Sequence, residues 1–509
     1  MFVDTIDSVG ELKFLQFPAD VFAVCARIAR ITGCYLEHSR ENKRHLKNVS
    51  TARDDGKDWV LSLARGGRGG GIPAGVKDSW RRVCIFLRKY SGSKDPLVVD
   101  KSISADILYL IAACDSACEG LGIPDGESPG IFGLASEAVL AESGTLCQIL
   151  GARFGRVLPK RHTPKVGINL RNLTRHICYC DESEVSVNWT TENFSSLAYG
   201  RSYNVLVIPW PFHLHPTALV PSERRSSDRA VGYFEYSPVS AKGDADLIFG
   251  IVEKTLDLGH RVDLVVLPEC ALAARLWAAV SERLNEIGVS VLSGVYGKKS
   301  RSKEFYNTVR FRAGYPWSED VVQHKHHRWK LDRAQIVNYG LGGTLSCQKE
   351  WWENIFIPKR ELSFFALDKD LVVCPLVCED LARQDPVADV VRSVGPNLVI
   401  ALLMDGPQLP SRWSARYASV LADDPGSSVL TVSSLGMVKL STPPPGVARK
   451  NVVASWKQAG GDFVEMALEG EATAVLMNLQ FDPDYEQTVD GFKDGSYSSI
   501  PVLTGVHYV

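Results

Sequence analysis

No excess of either charge, no long apolar run and no paired-cysteine motif marks this 509-residue chain. Each absence removes a class of function. Lys and Arg number 57 against 59 Asp and Glu, a formal net charge of -2. That balance gives no global face for nucleic acid or an anionic membrane. The longest apolar stretches, such as Ile107 to Cys114, fall far short of the ~20 residues that span a bilayer. Met1 to Lys13 lacks a basic region followed by an apolar core, so no secretory signal is expected. Twelve cysteines are scattered without a CxxC pair, which points to reduced thiols and a cytoplasmic chain. No internal repeat or low-complexity segment stands out. What is there is of ordinary globular composition, 45% hydrophobic and 23% charged, and the length suggests two or three domains.

The first half reads as mainly helical. Phe17 to Ile31, Val76 to Tyr90, Ile103 to Cys118 and Ile131 to Leu150 carry apolar residues at helical spacing. Breaks fall at the glycine-rich run from Arg65 to Gly71, at Gly122 to Gly130 and at Pro159 to Pro164. From about Tyr203 the pattern changes to strand–helix alternation. Tyr203 to Ile208, Val262 to Leu267, Val289 to Val295, Leu371 to Val377, Leu398 to Leu403 and Val429 to Val432 are strand-like apolar runs. Asp246 to Leu258 and Ala271 to Ile287 are helical between them. Such alternation implies an α/β layered domain, with a boundary near residue 195.

Three segments end in chemistry. Val262 to Cys270 is a buried strand presenting Glu269; Val321 to Lys330 is a strand closing in a basic cluster with Lys325; Leu371 to Asp380 is a strand ending in Cys378 beside the acids Glu379 and Asp380. Strand ends are where open α/β folds build sites. A thiol becomes a nucleophile when a base takes its proton or a cation favours its thiolate. Glu269 is the candidate base, with its pKa raised by burial. A lysine can steady the oxyanion formed when the thiol attacks a carbonyl.

Together these segments resemble the three signatures of the nitrilase superfamily, whose members use a Glu–Lys–Cys triad. Val-Val-Leu-Pro-Glu269 is similar to its hydrophobic strand followed by Pro-Glu, and Leu-Val-Cys378-Glu-Asp380 to its apolar strand closed by a cysteine and acids. Asn397 to Leu403, the helix from Trp413 to Leu421 and Ser428 to Gly436 follow in the family's order. The likeness covers roughly residues 200 to 490. It implies Glu269, Lys325 and Cys378 as catalytic residues in an αββα four-layer sandwich at 196 to 509, preceded by a mainly helical domain at 1 to 195. Lys325 matches a Tyr-x-Lys-x-His-like strand end, and Lys330 is its competitor. The family tends to carry a second glutamate downstream, where this chain offers Gln335. Glu379 after the thiol resembles amidases rather than nitrile-hydrolysing members, which tend to carry Trp there. The resemblance further implies an amide substrate, no metal or organic cofactor, and a homodimer or higher oligomer.

Bland readings stand beside these. Alone, Cys378 reads as a small core residue, Glu269 as a helix-start carboxylate and Lys325 as surface; only their joint occurrence favours a site. His324, His326 and His327 lack a carboxylate or thiol at ligand spacing, so no metal is expected. His176-Ile-Cys178-Tyr-Cys180 reads the same way. Gly126-Glu-Ser128-Pro-Gly130 fits GxSxG, but Pro129 has no N–H for an oxyanion hole. Gly70 to Lys77 fails the count of a phosphate loop. Ala422-Asp423-Asp424 precedes Pro425 and is no polymerase motif. The alternatives to hydrolysis are acyl transfer to an amine and a catalytically weak binding or regulatory module. The whole chain also resembles, at fold level, the nitrilase modules attached to bacterial defence reverse transcriptases, which implies a protein or nucleic-acid partner for residues 1 to 195.

Overall fold

The computed structural model of the chain describes every residue except 1, 38–42, 66–70, 92–95, 125–129, 153, 165–168, 183, 192–201, 240–242, 299–304, 316–317, 444 and 486–496. The loop after Arg65, most of the Gly126 to Gly130 segment and the expected boundary near residue 195 lie outside the described residues.

Two seven-stranded sheets form the centre of the C-terminal part. In the first, the strands run edge to edge as Val321–His324, Phe305–Arg312, Ser290–Lys298, Leu264–Ala273, Ser202–Val207, Val475–Tyr485 and Tyr497–Tyr508. In the second, the order is Phe463–Ala467, Val452–Lys457, Ser428–Ser433, Leu398–Leu403, Leu371–Val377, Arg360–Asp368 and Val185–Thr191. A small sheet of Lys330–Leu331, Glu350–Glu353, Val231–Tyr236 and Leu219–Pro221 stands beside them.

Strand alternation explains the layering. Along Leu264 to Leu267, Leu264 and Val266 face the core shared with the second sheet, and Val265 and Leu267 pack in a separate apolar cluster under the helices Asp244–Asp257 and Ala274–Glu286. Such two-sided burial requires the continuous apolar run seen in the sequence. Phe311 and Phe365 stack across the two inner faces at 4.3 Å. The helix Trp413–Asp423 covers the outer side of the second sheet, which completes a four-layer αββα order.

The N-terminal region is helical, as its periodicity predicts: Pro18–Thr32, Ala74–Lys89, Lys101–Ala117 and Gly130–Ser143 all form. The last stops short of the expected Leu150. Gly144, at φ +63°, ends it against the Val187 carbonyl, which a side chain would strike. The next turn is instead pinned by Asp20, whose buried carboxylate accepts the N–H groups of Gln148, Ile149 and Leu150 at 2.9, 3.0 and 2.7 Å. Lys43–Ala64 is a further helix that the pattern did not announce. Its Gly56 lies so close to the helix Lys101–Ala117 that a Cβ would sit 2.3 Å from the Ala113 carbonyl oxygen.

These helices share one apolar core with the second sheet. The strand Val185–Thr191, which precedes residue 195, pairs in parallel with Arg360–Asp368, and Trp189 stacks on Phe364 at 5.4 Å. Asp424 caps the end of Trp413–Asp423 and accepts both Arg171 Nη1 and Nη2 at 2.7 and 3.0 Å. Among the described residues no helix is long and apolar enough to cross a membrane.

Candidate active site

Glu269 sits on an irregularity its own strand creates. The ladder to Ser290–Lys298 steps from Leu267 opposite Ser293 to Leu272 opposite Val295, so Pro268 to Ala271 bulge out of register. A bulge of this kind re-aims side chains. The bulge passes directly over Gly294, where a Cβ would lie 2.4–2.5 Å from Pro268 O, Cys270 N and Glu269 Cα. Cys270, next to the glutamate, holds φ +50°.

Lys325 follows the edge strand Val321–His324 and keeps its register through a 3.0 Å bond from its N–H to the Asn307 carbonyl. Its Nζ donates to Glu269 Oε1 at 2.8 Å and to Glu353 Oε2 at 2.7 Å. Asn307 Nδ2 donates to both carboxylates as well, at 2.8 and 2.9 Å. The lysine and Glu269 side chains are each 1% exposed. One cation therefore serves two buried carboxyl groups. Burial alone would lower the lysine's pKa, but Glu269 and Glu353 outweigh it and hold the ammonium well above the ordinary range. Burial pushes Glu269 up; Lys325 opposes and Glu353 reinforces that rise. Two of the three ammonium donors are engaged by these carboxylates.

Cys378 closes the strand Leu371–Val377 and opens a 3₁₀ turn to Leu381 with φ +47°. A non-glycine residue in this region is held at a cost of roughly 1–3 kcal/mol and persists only where its surroundings fix it. Asp380 supplies that fixing, through bonds to the N–H groups of His326 and His327 just past Lys325. Burial raises the thiol well above its ordinary pKa; Glu269 acts in the same direction and Lys325 pulls the other way. A thiol so placed would act as a nucleophile only if a base took its proton. Glu269, Lys325 and Cys378 are thus brought together, within electrostatic reach of one another.

A cavity of about 280 Å³ opens on Cys378, walled by Trp329, Gln335, Met404, Asp405 and Trp413 among others. Asp405 is tied by Tyr339 Oη at 2.6 Å, Trp413 Nε1 at 3.0 Å and the Arg412 guanidinium.

Lys330 stands apart. It pairs with Glu350 at 2.8 Å on the outer face of the small sheet. Gln335 forms a capping box with Asp332 at the start of Arg333–Asn338 and does not meet Lys325. The second carboxylate on the lysine is Glu353, which sequence reasoning missed. Its signal was alternation: Trp351, Glu353 and Ile355 are buried in turn, and a carboxylate in a buried row needs a cation. Trp329 N donates to Glu353 Oε2 at 3.0 Å and fixes it further. Two of the histidines hold neighbouring groups: His326 Nε2 lies 2.7 Å from the Glu361 carbonyl, and His327 Nδ1 lies 2.8 Å from the Asp380 carboxylate.

No family model matches the chain, and no curated protein matches it. Solved structures do, over the sheet-rich part, and those are members of the nitrilase superfamily. Saccharomyces cerevisiae Nit3, of branch 10 of that superfamily, is 12% identical with a TM-score of 0.37, over 55% of this chain and 90% of its own. A Xanthomonas campestris protein of the CN-hydrolase superfamily is 15% identical with a TM-score of 0.33, over 54% and 90%. The amidase of Nesterenkonia sp. AN1 is 12% identical with a TM-score of 0.35, over 55% and 92%. At such identities the likeness is one of fold alone, and what this chain does is set by its own residues.

Proposed function

We propose that the chain is a cysteine-dependent hydrolase of non-peptide carbon–nitrogen bonds, acting on amides in preference to nitriles. The observation that carries this reading is the buried lysine held by two carboxylates beside a cavity-lining thiol on a strained turn. Cys378 Sγ attacks the amide carbon as Glu269 takes its proton. The oxyanion forms against the remaining Lys325 donor. Collapse breaks the C–N bond, and Glu269 returns the proton to the leaving amine. Water then attacks the thioester, giving its proton to Glu269; the thiolate leaves and is reprotonated, and a carboxylic acid is released. Each step uses one base in alternation, which requires a carboxylate with a pKa near the working pH, and burial moves Glu269 that way.

Gln335 on its own would favour a module that binds without turnover. Glu353 supplies the carboxylate which that reading finds missing. The test is ammonia release from a panel of small amides, with intact-mass detection of an acyl adduct. Cys378→Ala should abolish both signals without unfolding the chain; ammonia release retained in that variant would sink the proposal. Adding an amine acceptor separates hydrolysis from acyl transfer by product.

A further inference from the structure

The charges around the thiol cavity do not cancel in kind. Its wall carries two carboxylates, Glu379 and Asp405, and two guanidiniums, Arg383 and Arg416. Glu379 is paired with Arg383 at 2.8 Å, four residues on. Asp405 is paired with Arg412 and also holds the Tyr339 hydroxyl and the Trp413 indole N–H. Each acid thus has its own cation. The Arg416 guanidinium has no hydrogen bond or ion pair among the described residues, and the residue is exposed at the cavity edge.

Its position is fixed by the fold. Arg416 lies in the first turns of the helix Trp413–Asp423, between Trp413 and Tyr417, which share the wall and meet edge to face at 6.3 Å. Trp413 is anchored on Asp405, and Ser414 donates to Gln408 at 2.8 Å, so this end of the helix is held against the site. A guanidinium on a rigid element, with five donors and no carboxylate to meet them, is suited to a planar oxyanion. Beyond the two paired acids and Arg383, the wall is aromatic, apolar or neutral, so Arg416 is the charged group of the wall that no ion pair occupies.

We infer that Arg416 anchors a negatively charged group of the substrate, so that this site takes small amides that also carry a carboxylate or a comparable oxyanion. The inference rests on the reading of Cys378 as the nucleophile, and its test keeps the two apart. Iodoacetate and iodoacetamide alkylate the same thiol: the S–C bond forms, iodide leaves, and the thiol proton passes to Glu269 or water. They differ by one charge. The ratio of their rates therefore cancels any change in the protonation of Cys378 and reports the charge at the cavity mouth.

The experiment measures both rates on the full chain by intact mass and peptide mapping, with Cys378→Ala marking the adduct. Arg416→Glu should lower the iodoacetate-to-iodoacetamide ratio by about tenfold or more, as reversal of a focused charge predicts, and Arg416→Lys should keep most of it. The iodoacetamide rate alone reports any change that the substitution makes in the protonation of Cys378, and the ratio removes it. A ratio unmoved in Arg416→Glu, with Cys378 still labelled, overturns the inference and leaves the nucleophile standing. No labelling of Cys378 by either reagent overturns the nucleophile and the inference with it.

Discussion

Asp380 lies two residues beyond Cys378 and accepts the backbone N–H groups of His326 and His327, each at 3.0 Å, together with the His327 Nδ1–H at 2.8 Å. The loop that bears the thiol is thereby tied to the loop that bears Lys325, across the gap between the two sheets. Gln323 makes a second tie there: its Nε2 donates to the Pro375 carbonyl at 3.1 Å, and its Oε1 accepts the Ser363 N–H at 2.7 Å. The alignment of thiol and ammonium thus depends on a few polar crossings rather than on either sheet alone.

Asp380→Ala should cost about 2–4 kcal/mol in denaturant unfolding, because three donors are left unmet in a buried place. Amide turnover and Cys378 labelling should fall by at least about tenfold, since a misplacement of about an ångström has effects of that order. Asp380→Asn, which keeps one acceptor oxygen, should recover part of the stability. Wild-type turnover in Asp380→Ala would show that the crossing does not position the thiol.

Gly294 gives a steric prediction. A Cβ there meets three backbone atoms of the Glu269 bulge at 2.4–2.5 Å, and none of them is the end of a flexible side chain. Gly294→Ala should destabilise the chain by about 1–3 kcal/mol, the cost of overpacking. It should also displace Glu269, so activity should fall further than stability does. A variant that unfolds normally and turns over normally would mean that the bulge can shift without moving its carboxylate.

The pH profile follows from the site's charges. In the proposed mechanism hydrolysis needs Glu269 deprotonated, so the rate should fall as pH drops through its pKa. Burial, with Glu353 adding to it, raises that pKa above the ordinary glutamate value, so the acid limb should lie higher than for a solvated carboxylate. Glu353→Gln removes the neighbouring negative charge and should move the limb to lower pH. A limb that stays in place when Glu353 is neutralised would show that burial alone sets it.

Much of this candidate site was legible because Lys325 and Cys378 directly follow strands and Glu269 falls where an apolar run gives way to Pro268 within one. Leu264, Val321 and Leu371 each begin such a strand in the structure. Glu353 was not legible by that rule. Its strand, Glu350–Glu353, has no apolar run and pairs in parallel with Val231–Tyr236, more than a hundred residues earlier. The sequence also suggests a helix from Ala271, whereas the strand continues through the bulge to Ala273, because the departure from register costs fewer ladder bonds than a break. In the N-terminal region, Lys43–Ala64 escaped notice because its polar residues outnumber its apolar ones and Gly56 interrupts it. There helix–helix packing overrides intrinsic preference.

Asp424 provides the last prediction, for the attachment of the N-terminal region. It takes a two-pronged bond from Arg171 and a further pair from Arg392, and these guanidiniums, set against the cost of burial, hold its carboxyl below the ordinary range. A depressed folded pKa contributes stability that is present above the unfolded pKa and is lost as pH falls through the folded one. Asp424→Asn should therefore cost about 1–3 kcal/mol at neutral pH, the range for hydrogen bonds to charged groups. The gap between variant and wild type should narrow below about pH 4, where an unfolded aspartate is itself protonated. Denaturant unfolding at both pH values measures it. A gap of the same size at both would mean that Asp424 acts through shape and not through charge, and that Arg171 is held in place by other contacts.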